Sequence, residues 1–246
     1  RGEHLIVVGA NRPRLYATML AAQSLGAIPI PLYQDAAAAE CVFPINNADV
    51  RFAVVEDQEQ VDKMLEVREQ SPQLQHIFYD DPRGLRNYTD EGLGSLDELL
   101  AAGAVFAQQH PQFFHHEAEK ALPGDVAAMF FTSGTTGKPK GVQRDTGGYT
   151  VALAASMPHV FEGKPGGTFF CTSDIGWVVG HSYIIYGPLI GGMATILYEG
   201  LPIRPDGGIW WSLVEKYKVN VMFSAPTAIR VLKKQDPALL TKYDLS

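Results

Sequence analysis

Cysteine is scarce in this sequence, and the two cysteines lie far apart. Cys41 and Cys171 form no CxxC pair, which excludes a disulfide framework and a cysteine-based zinc site. Long apolar runs are also lacking: no stretch reaches membrane-spanning length, and no charged-then-apolar leader opens the chain. A cytoplasmic protein in a reducing compartment is therefore expected.

Basic clusters are absent as well. The 20 lysines and arginines are outnumbered by 27 aspartates and glutamates, which gives a net charge of -7. General nucleic-acid binding is therefore not expected, and any site for a phosphate group must be local. One group of histidines and glutamates fits no metal-ligand spacing and is interpreted as a solvated connection, so no metal ligand is assigned; it comprises His110, His115, His116, Glu117 and Glu119.

Core-forming residues are plentiful. The 246 residues are 46% hydrophobic, which is sufficient for a sizeable core. Apolar strands alternate with segments of helical periodicity, and this predicts an α/β fold of layered, mostly parallel sheets with helices on both faces. The predicted strands are 4–8, 28–32, 52–55, 75–79, 126–131, 168–171, 193–198 and 219–223; the predicted helices are 14–25, 58–70, 96–107, 146–157, 181–190, 210–218 and 226–234, with a loop at 80–95.

Proline marks three local features. Asn11 precedes Pro13 at the start of the first helix, so its side chain is expected to cap that helix. The strand at 28–32 contains two prolines, which favours an edge or a switch-point position. Pro44 lies inside the helical pattern of 36–46 and is expected to break or kink that helix.

The most informative stretch is TSGTTGKPKGV, from Thr132 to Val142, directly after an apolar run. Glycines let backbone N–H groups face a ligand, hydroxyl groups add donors, and a lysine offsets phosphate charge, so the pattern predicts a polyphosphate-binding loop after a strand. A Walker A loop is excluded because only two residues separate Gly134 from Gly137 and Pro139 follows the lysine. The alternative is a polar surface turn.

This stretch resembles the phosphate loop of the adenylate-forming superfamily, which contains acyl-CoA synthetases, luciferases and the adenylation domains of peptide synthetases. Lys138 stands where that family is variable. The resemblance implies that the ATP phosphates contact the hydroxyl and glycine positions and one lysine, namely Thr132, Ser133, Gly134, Thr135, Thr136, Gly137 and Lys140.

A second informative stretch, SDIGWVVGHSY, follows the predicted strand at 168–171. Ligands bind at such carboxyl ends in open α/β sheets. A serine nucleophile elbow is not supported, because the GxSxG pattern needs glycine where Ile184 stands. Trp177 beside valines makes an apolar wall suited to a short acyl chain. Ordinary core packing of this tryptophan is the alternative.

The same stretch is similar to the acyl-pocket loop of acetyl- and propionyl-CoA synthetases, and the similarity covers almost all of 131–246. It implies that Trp177, Val178 and Val179 bound the acyl chain. Residues 1–130 are more similar to long-chain acyl-CoA ligases. We therefore expect an incomplete N-terminal AMP-binding domain with a first subdomain at 1–130, a phosphate-loop and acyl-pocket subdomain at 131–246, and no C-terminal domain.

The resemblance implies an AMP-forming acid–thiol ligase. ATP would activate a carboxylic acid, propionate or acetate, to acyl-AMP, and CoA would then accept the acyl group, with Mg²⁺ offsetting phosphate charge. The catalytic lysine is expected beyond Ser246, so residues 1–246 alone should be inactive. The alternatives are a medium- or long-chain fatty acid–CoA ligase and a non-catalytic nucleotide-binding module. No kinase-like DFG or HRD tripeptide is present.

Overall fold

The structure is a computed structural model that describes residues 1–132 and 140–246, with only the backbone of Thr132 described. It divides into two compact units, Arg1–Tyr149 with Ile175–Trp177 and Thr150–Asp174 with Val178–Ser246. Both are built of strands and helices, and the predicted α/β class with mostly parallel strands is confirmed. The division into subdomains at residue 130 does not coincide with these units and stays a prediction.

A five-stranded parallel sheet forms the centre of the first unit. Its strands are ordered β2-β1-β3-β4-β5, and the successive residues Ile6, Val7 and Val8 of β1 are all buried. Burial of consecutive residues shows that both faces of the sheet are covered. The strands are β1 (His4–Val8), β2 (Ile28–Leu32), β3 (Phe52–Val55), β4 (His76–Tyr79) and β5 (Leu93–Ser95).

Helices connect and cover these strands. The apolar side of α3 places Val61, Met64 and Val67 in the same core as β1 and β3, as its helical spacing predicts. The helices of this region are α1 (Pro13–Ser24), α2 (Ala38–Asn47), α3 (Gln58–Arg68), α4 (Leu96–Gln109) and α5 (Phe113–Glu119).

The two predictions that were made from prolines in this region have different outcomes. The strand β2 lies at one end of the five-stranded order, which confirms the predicted edge position. Of the break or kink expected at Pro44, the break is wrong, because α2 continues through that residue; the kink stays a prediction. The missing N–H costs one helical hydrogen bond, but Cys41, Pro44 and Ile45 are all buried on one side of α2, and this apolar burial compensates for the loss.

The predicted loop at 80–95 contains a strand. Its last three residues form β5, which pairs in parallel with β4 so that Ile77 lies opposite Leu93 and Tyr79 opposite Ser95. Gly92 leads into it with φ +75°, a conformation that glycine adopts readily. The strand depends on pairing with β4, which local sequence does not reveal.

The chain then forms an antiparallel pair, β6 (Val126–Thr132) and β7 (Lys140–Asp145), followed by α6 (Thr146–His159). The strand β6 was predicted, whereas β7 was not. Each residue of β7 is exposed and most are polar, so the segment lacks the apolar alternation that marks a strand. The strand β6 lies alongside β2.

The second unit contains a three-stranded parallel sheet in the order β10-β8-β9. Phe170, Trp210 and Leu232 form one of its buried clusters. The helix predicted at 181–190 is formed by a π-helix at His181–Tyr186 and a short α-helix directly after it. Of the strand predicted at 193–198, only two residues form a strand. The elements are β8 (Thr168–Cys171), α7 (Val178–Gly180), α8 (Gly187–Ile190), β9 (Ala194–Thr195), α9 (Ile209–Tyr217), β10 (Val221–Phe223), α10 (Pro226–Leu232) and α11 (Ala238–Thr241).

In residues 1–132 and 140–246, no helix combines the length and the apolar character that a membrane span requires.

Candidate active site

The predicted phosphate loop joins the two strands of the β6–β7 pair. Thr132 and Lys140 lie opposite each other in the antiparallel register, so both ends of the connection are held one strand spacing apart. Lys140 is exposed at the start of β7. The other predicted phosphate contacts lie outside the described residues; they are Ser133, Gly134, Thr135, Thr136 and Gly137.

The strand before the loop is attached to the core of the first unit. The ring of Phe131 meets that of Phe43 edge to face, with centroids 6.2 Å apart. Gln23 Nε2 donates a hydrogen bond to the carbonyl oxygen of Ala127 at 2.7 Å. A Cβ added to Gly141 would lie 3.3 Å from the Phe131 ring, so the two strands approach closely there. The ends of the loop therefore start from a packed hairpin.

The predicted acyl wall begins in a short segment, Ile175–Trp177, that belongs to the first compact unit. Asn11 Oδ1 accepts a hydrogen bond from the backbone N–H of Ile175 at 2.9 Å and another from the Tyr16 hydroxyl at 3.0 Å. The side chain of Ile175 is fully buried and Asn11 is only 8% exposed. This segment is therefore anchored to the turn that follows β1.

The expected capping role of Asn11 is wrong. The N-cap of α1 is Arg12, which makes no side-chain capping bond, although Pro13 occupies the first turn as predicted. The Asn11 side chain accepts the hydrogen bond of Ile175 instead. Proline has no backbone N–H to satisfy, so α1 has less need of a capping side chain.

Tyr33 provides the second attachment. It directly follows β2, and its backbone is so near Gly176 that a Cβ added there would lie 2.5 Å from the Tyr33 Cα. The rings of Tyr33 and Trp177 have centroids 5.6 Å apart at 49°, within the range of favourable aromatic pairs. Since β1 and β2 run parallel, both attachments lie at the carboxyl edge of the five-stranded sheet, where ligands bind in open α/β sheets. The predicted position was the carboxyl end of a different strand, the one at 168–171.

Trp177 remains 49% exposed despite these contacts, which is not the burial of an ordinary core tryptophan. Val178 is exposed and Val179 is partly exposed at the beginning of α7 in the second unit. The role of the three side chains in binding an acyl chain stays a prediction.

Sequence reasoning assigned no role to Glu56, which orders the turn carrying Asn11. Glu56 follows β3 and accepts hydrogen bonds from the Ala10 N–H at 2.6 Å and from Arg12 Nε at 2.7 Å. Gly9 must pass close to it, since an added Cβ would lie 2.6 Å from the Glu56 Cβ. Its position directly after a buried strand was the available signal.

A second ion-pair group lies along the same edge. Arg14 pairs with Asp80, which follows β4, at 2.7 Å and with Asp97 at 2.5 Å. Burial raises the pKa of Asp80, and the Arg14 charge opposes that rise. Together with Arg12 and Glu56, these pairs join the ends of three parallel strands.

Two other sequence patterns have structural explanations. Ser182 lies in the π-helix and donates its hydroxyl hydrogen bond to the carbonyl oxygen of Val178 at 2.7 Å. This helical geometry is not the strand-to-helix turn of a nucleophile elbow. Among the histidines of the polar connection, His110 packs on Phe106 with ring centroids 4.5 Å apart. No three His, Cys, Asp or Glu residues of the described chain are grouped as metal ligands.

Among known proteins, a family model and one relative match the whole chain, whereas another relative matches half of it. The sequence model of a family described as AMP-binding enzyme matches residues 1–246. A propionate–CoA ligase of Salmonella typhimurium is 69% identical over 122 residues, 50% of this chain and 19% of that protein. An acetyl-coenzyme A synthetase of Pyrobaculum arsenaticum is 35% identical over 258 residues, 100% of this chain and 37% of that protein.

An Escherichia coli propionate–CoA ligase is 57% identical over 159 residues, which are 64% of this chain and 25% of that ligase. The chain therefore spans less than half the length of these three relatives. The two with the higher identities match only part of the chain.

Proposed function

We propose, since this chain belongs to the AMP-binding enzyme family, that the complete protein is an AMP-forming acyl-CoA synthetase acting on a short-chain carboxylic acid. A carboxylate oxygen would attack the α-phosphorus of ATP and the bond to pyrophosphate would break. The CoA thiolate would then attack the acyl carbon and AMP would leave. The observation that carries this proposal is the 69% identity to a propionate–CoA ligase over half of the chain.

The first compact unit supports the proposal through the positions of its candidate contacts. Thr132, Lys140 and Trp177 all belong to it. The strand β6, which leads into the phosphate loop, lies alongside β2, and β2 ends at the Tyr33 partner of Trp177. One unit thus carries both a cation beside the proposed phosphate loop, which can offset phosphate charge, and an exposed aromatic side chain suited to a short acyl chain.

Mg²⁺ is part of the proposal as a companion of the nucleotide. The described residues form no cluster of three acidic, histidine or cysteine ligands, and Mg²⁺ commonly binds through substrate phosphates, water and one or two carboxylates. When bound, it would offset the charge of the phosphate oxygens. Lys140 would add a second positive charge at the end of the loop.

The test is turnover of the complete protein with ATP, Mg²⁺, CoA and one acid at a time: acetate, propionate, butyrate or palmitate. Pyrophosphate release and acyl-CoA formation are both measured. We expect propionate to be used best, with acetate lower by about 10- to 200-fold at most, because one methylene group in an apolar pocket discriminates within that range. Palmitate should be rejected.

Two results would replace this proposal. Faster turnover of palmitate than of propionate would favour the long-chain ligase suggested by the sequence of residues 1–130. ATP binding without pyrophosphate release for any acid would favour a non-catalytic nucleotide-binding module.

The acyl-wall assignment has a matched pair of variants. Trp177→Ala should raise the use of butyrate relative to propionate, because it removes the half-exposed indole. Trp211→Ala removes a tryptophan packed against the Phe170–Trp210 cluster of the second unit, so it should leave that ratio unchanged. Equal effects of the two variants would remove Trp177 from the proposed wall.

A further inference from the structure

The position of the Trp177 ring depends on residues from the first 33 positions of the chain. The segment before the ring is attached by Asn11, which accepts the Ile175 N–H hydrogen bond. The ring itself contacts Tyr33. A half-exposed tryptophan without such contacts would exchange among rotamers on a fast timescale.

We propose that Asn11 and Tyr33 are positioning residues for Trp177 and that, through it, they set the acyl chain length the protein accepts. This inference rests on the proposed function, because it concerns the same site. It assigns part of the substrate selection to the edge of the five-stranded sheet, at the ends of β1 and β2, and not only to the segment that contains Trp177.

Three contacts restrict the tryptophan in different ways. The Asn11 bond fixes the backbone at Ile175, and the close approach of Gly176 to Tyr33 leaves no space for a side chain between them. The Tyr33 ring then limits rotation of the indole, with centroids 5.6 Å apart. Since Tyr33 is itself 37% exposed, its ring acts as a lateral support and not as part of a core.

Asn11 is itself held in place by a charged partner. The preceding residue, Ala10, donates its N–H to Glu56 and the following residue, Arg12, pairs with the same carboxylate. Glu56 is only 8% exposed, and bonds to a charged group in such a site are stronger than bonds between neutral groups. Through Asn11 and its two neighbours, Ile175 is therefore connected to Glu56 at the end of β3.

The first experiment compares Tyr33→Leu, Tyr33→Phe and wild type in the complete protein, using kcat/KM for propionate and butyrate. Tyr33→Leu removes the ring, so the indole can withdraw and the propionate-to-butyrate ratio should fall by about 3- to 10-fold, the range expected for one aromatic pair. Tyr33→Phe retains the ring and should have the same propionate-to-butyrate ratio as wild type.

The matched control is Phe52→Leu. Phe52 stacks on His76 with centroids 5.5 Å apart at the amino end of β3, so the substitution also removes an aromatic pair of the same sheet. It should lower stability without changing the propionate-to-butyrate ratio. The same ratio change in Phe52→Leu as in Tyr33→Leu would overturn the proposal.

The second experiment observes the indole directly. The complete protein is labelled with 5-fluorotryptophan, and the ¹⁹F resonance that disappears in Trp177→Phe is assigned to Trp177. Tyr33→Leu and Asn11→Ala should each shift or broaden that resonance, whereas Tyr33→Phe and Phe52→Leu should leave it in place. Asn11→Ala is an independent test should Tyr33→Leu not fold.

The two readouts separate this inference from the proposed function. If wild type turns over no carboxylic acid, the proposed function fails, but the resonance still tests the positioning of the indole. An unchanged Trp177 resonance in Tyr33→Leu and Asn11→Ala refutes that positioning whether or not the protein is active. If wild type is active and Tyr33→Leu changes neither the resonance nor the ratio, the proposed function stands and this inference is wrong.

Discussion

The side chain of Asn11 and the backbone of Ile175 are joined by a 2.9 Å hydrogen bond across 164 positions of sequence. The acceptor lies just after the first strand, and the donor lies in a segment between two stretches of the second compact unit. Both partners are buried, so this bond is protected from exchange with water. It ties a candidate substrate-contacting segment to the sheet of the first unit.

Removing this acceptor should destabilise the protein. Asn11→Ala deprives the Ile175 N–H and the Tyr16 hydroxyl of their shared partner, and a buried donor without its acceptor costs about 1–3 kcal/mol. Tyr16→Phe removes only one of the two donors and should cost less. The free energies of unfolding in urea measure both, and the double variant should lose less than the sum of the single losses. Equal stability of Asn11→Ala and wild type would contradict the prediction.

Much of the fold could be predicted because its strands are short apolar runs with helical periodicity between them. The strands β1, β2 and β3 have the predicted bounds. What escaped prediction depends on distant partners: β5 exists through its pairing with β4, and the exposed strand β7 through its pairing with β6. The helix through Pro44 forms because its buried side outweighs a local rule.

The candidate site could be predicted only in part. Trp177 was identified from its sequence context, and the structure leaves it half exposed at the carboxyl edge of a parallel sheet. Asn11 was expected to cap a helix because it precedes Pro13. That expectation failed because local sequence cannot show that Ile175 lies beside Asn11. The role of Glu56 was missed for the same reason, because its hydrogen-bond partners Ala10 and Arg12 follow a different strand.

The close approach at Gly176 makes a second prediction. Gly176→Ala should cost about 1–3 kcal/mol in free energy of unfolding, since the new Cβ would lie 2.5 Å from the Tyr33 Cα and the backbones must separate. Gly103→Ala is the matched control: it lies inside α4, and apart from the backbone of its own helix no atom lies within 4 Å of a Cβ added there. That helix position should tolerate alanine or gain stability. A loss in Gly103→Ala as large as that in Gly176→Ala would refute the steric explanation.

The two cysteines should be unreactive in the folded protein. Burial raises the pKa of Cys41 and of Cys171 to about 11, so on the order of one thiol in a thousand is ionised near pH 8, compared with roughly one in ten at the ordinary value. Iodoacetamide labelling followed by peptide mass spectrometry should detect both thiols only after unfolding in urea. Fast labelling of the native protein at either peptide would show that burial is incomplete there.

The same pKa shifts predict a loss of stability in alkaline solution. Because the folded-state pKa is raised, the stabilisation is fully present below the ordinary pKa of 9.0 and is lost as the pH rises towards about 11. Cys41→Ala and Cys171→Ala should each reduce this dependence, measured as the change in free energy of unfolding with pH. An unchanged alkaline loss in the double variant would assign it to other groups.

The last prediction concerns Lys140, which stands opposite Thr132 at the exit of the proposed phosphate loop. In the complete protein, Lys140→Ala should weaken the use of ATP by one charge-assisted contact, about 1.5–3 kcal/mol, or about tenfold or more in kcat/KM for ATP. Lys140→Arg keeps the positive charge and should recover part of the activity. Lys233→Ala removes an exposed lysine of the second unit and controls for the general loss of a surface charge. If Lys140→Ala and Lys233→Ala have the same ATP kinetics as wild type, Lys140 does not contact the nucleotide and is removed from the proposed phosphate site.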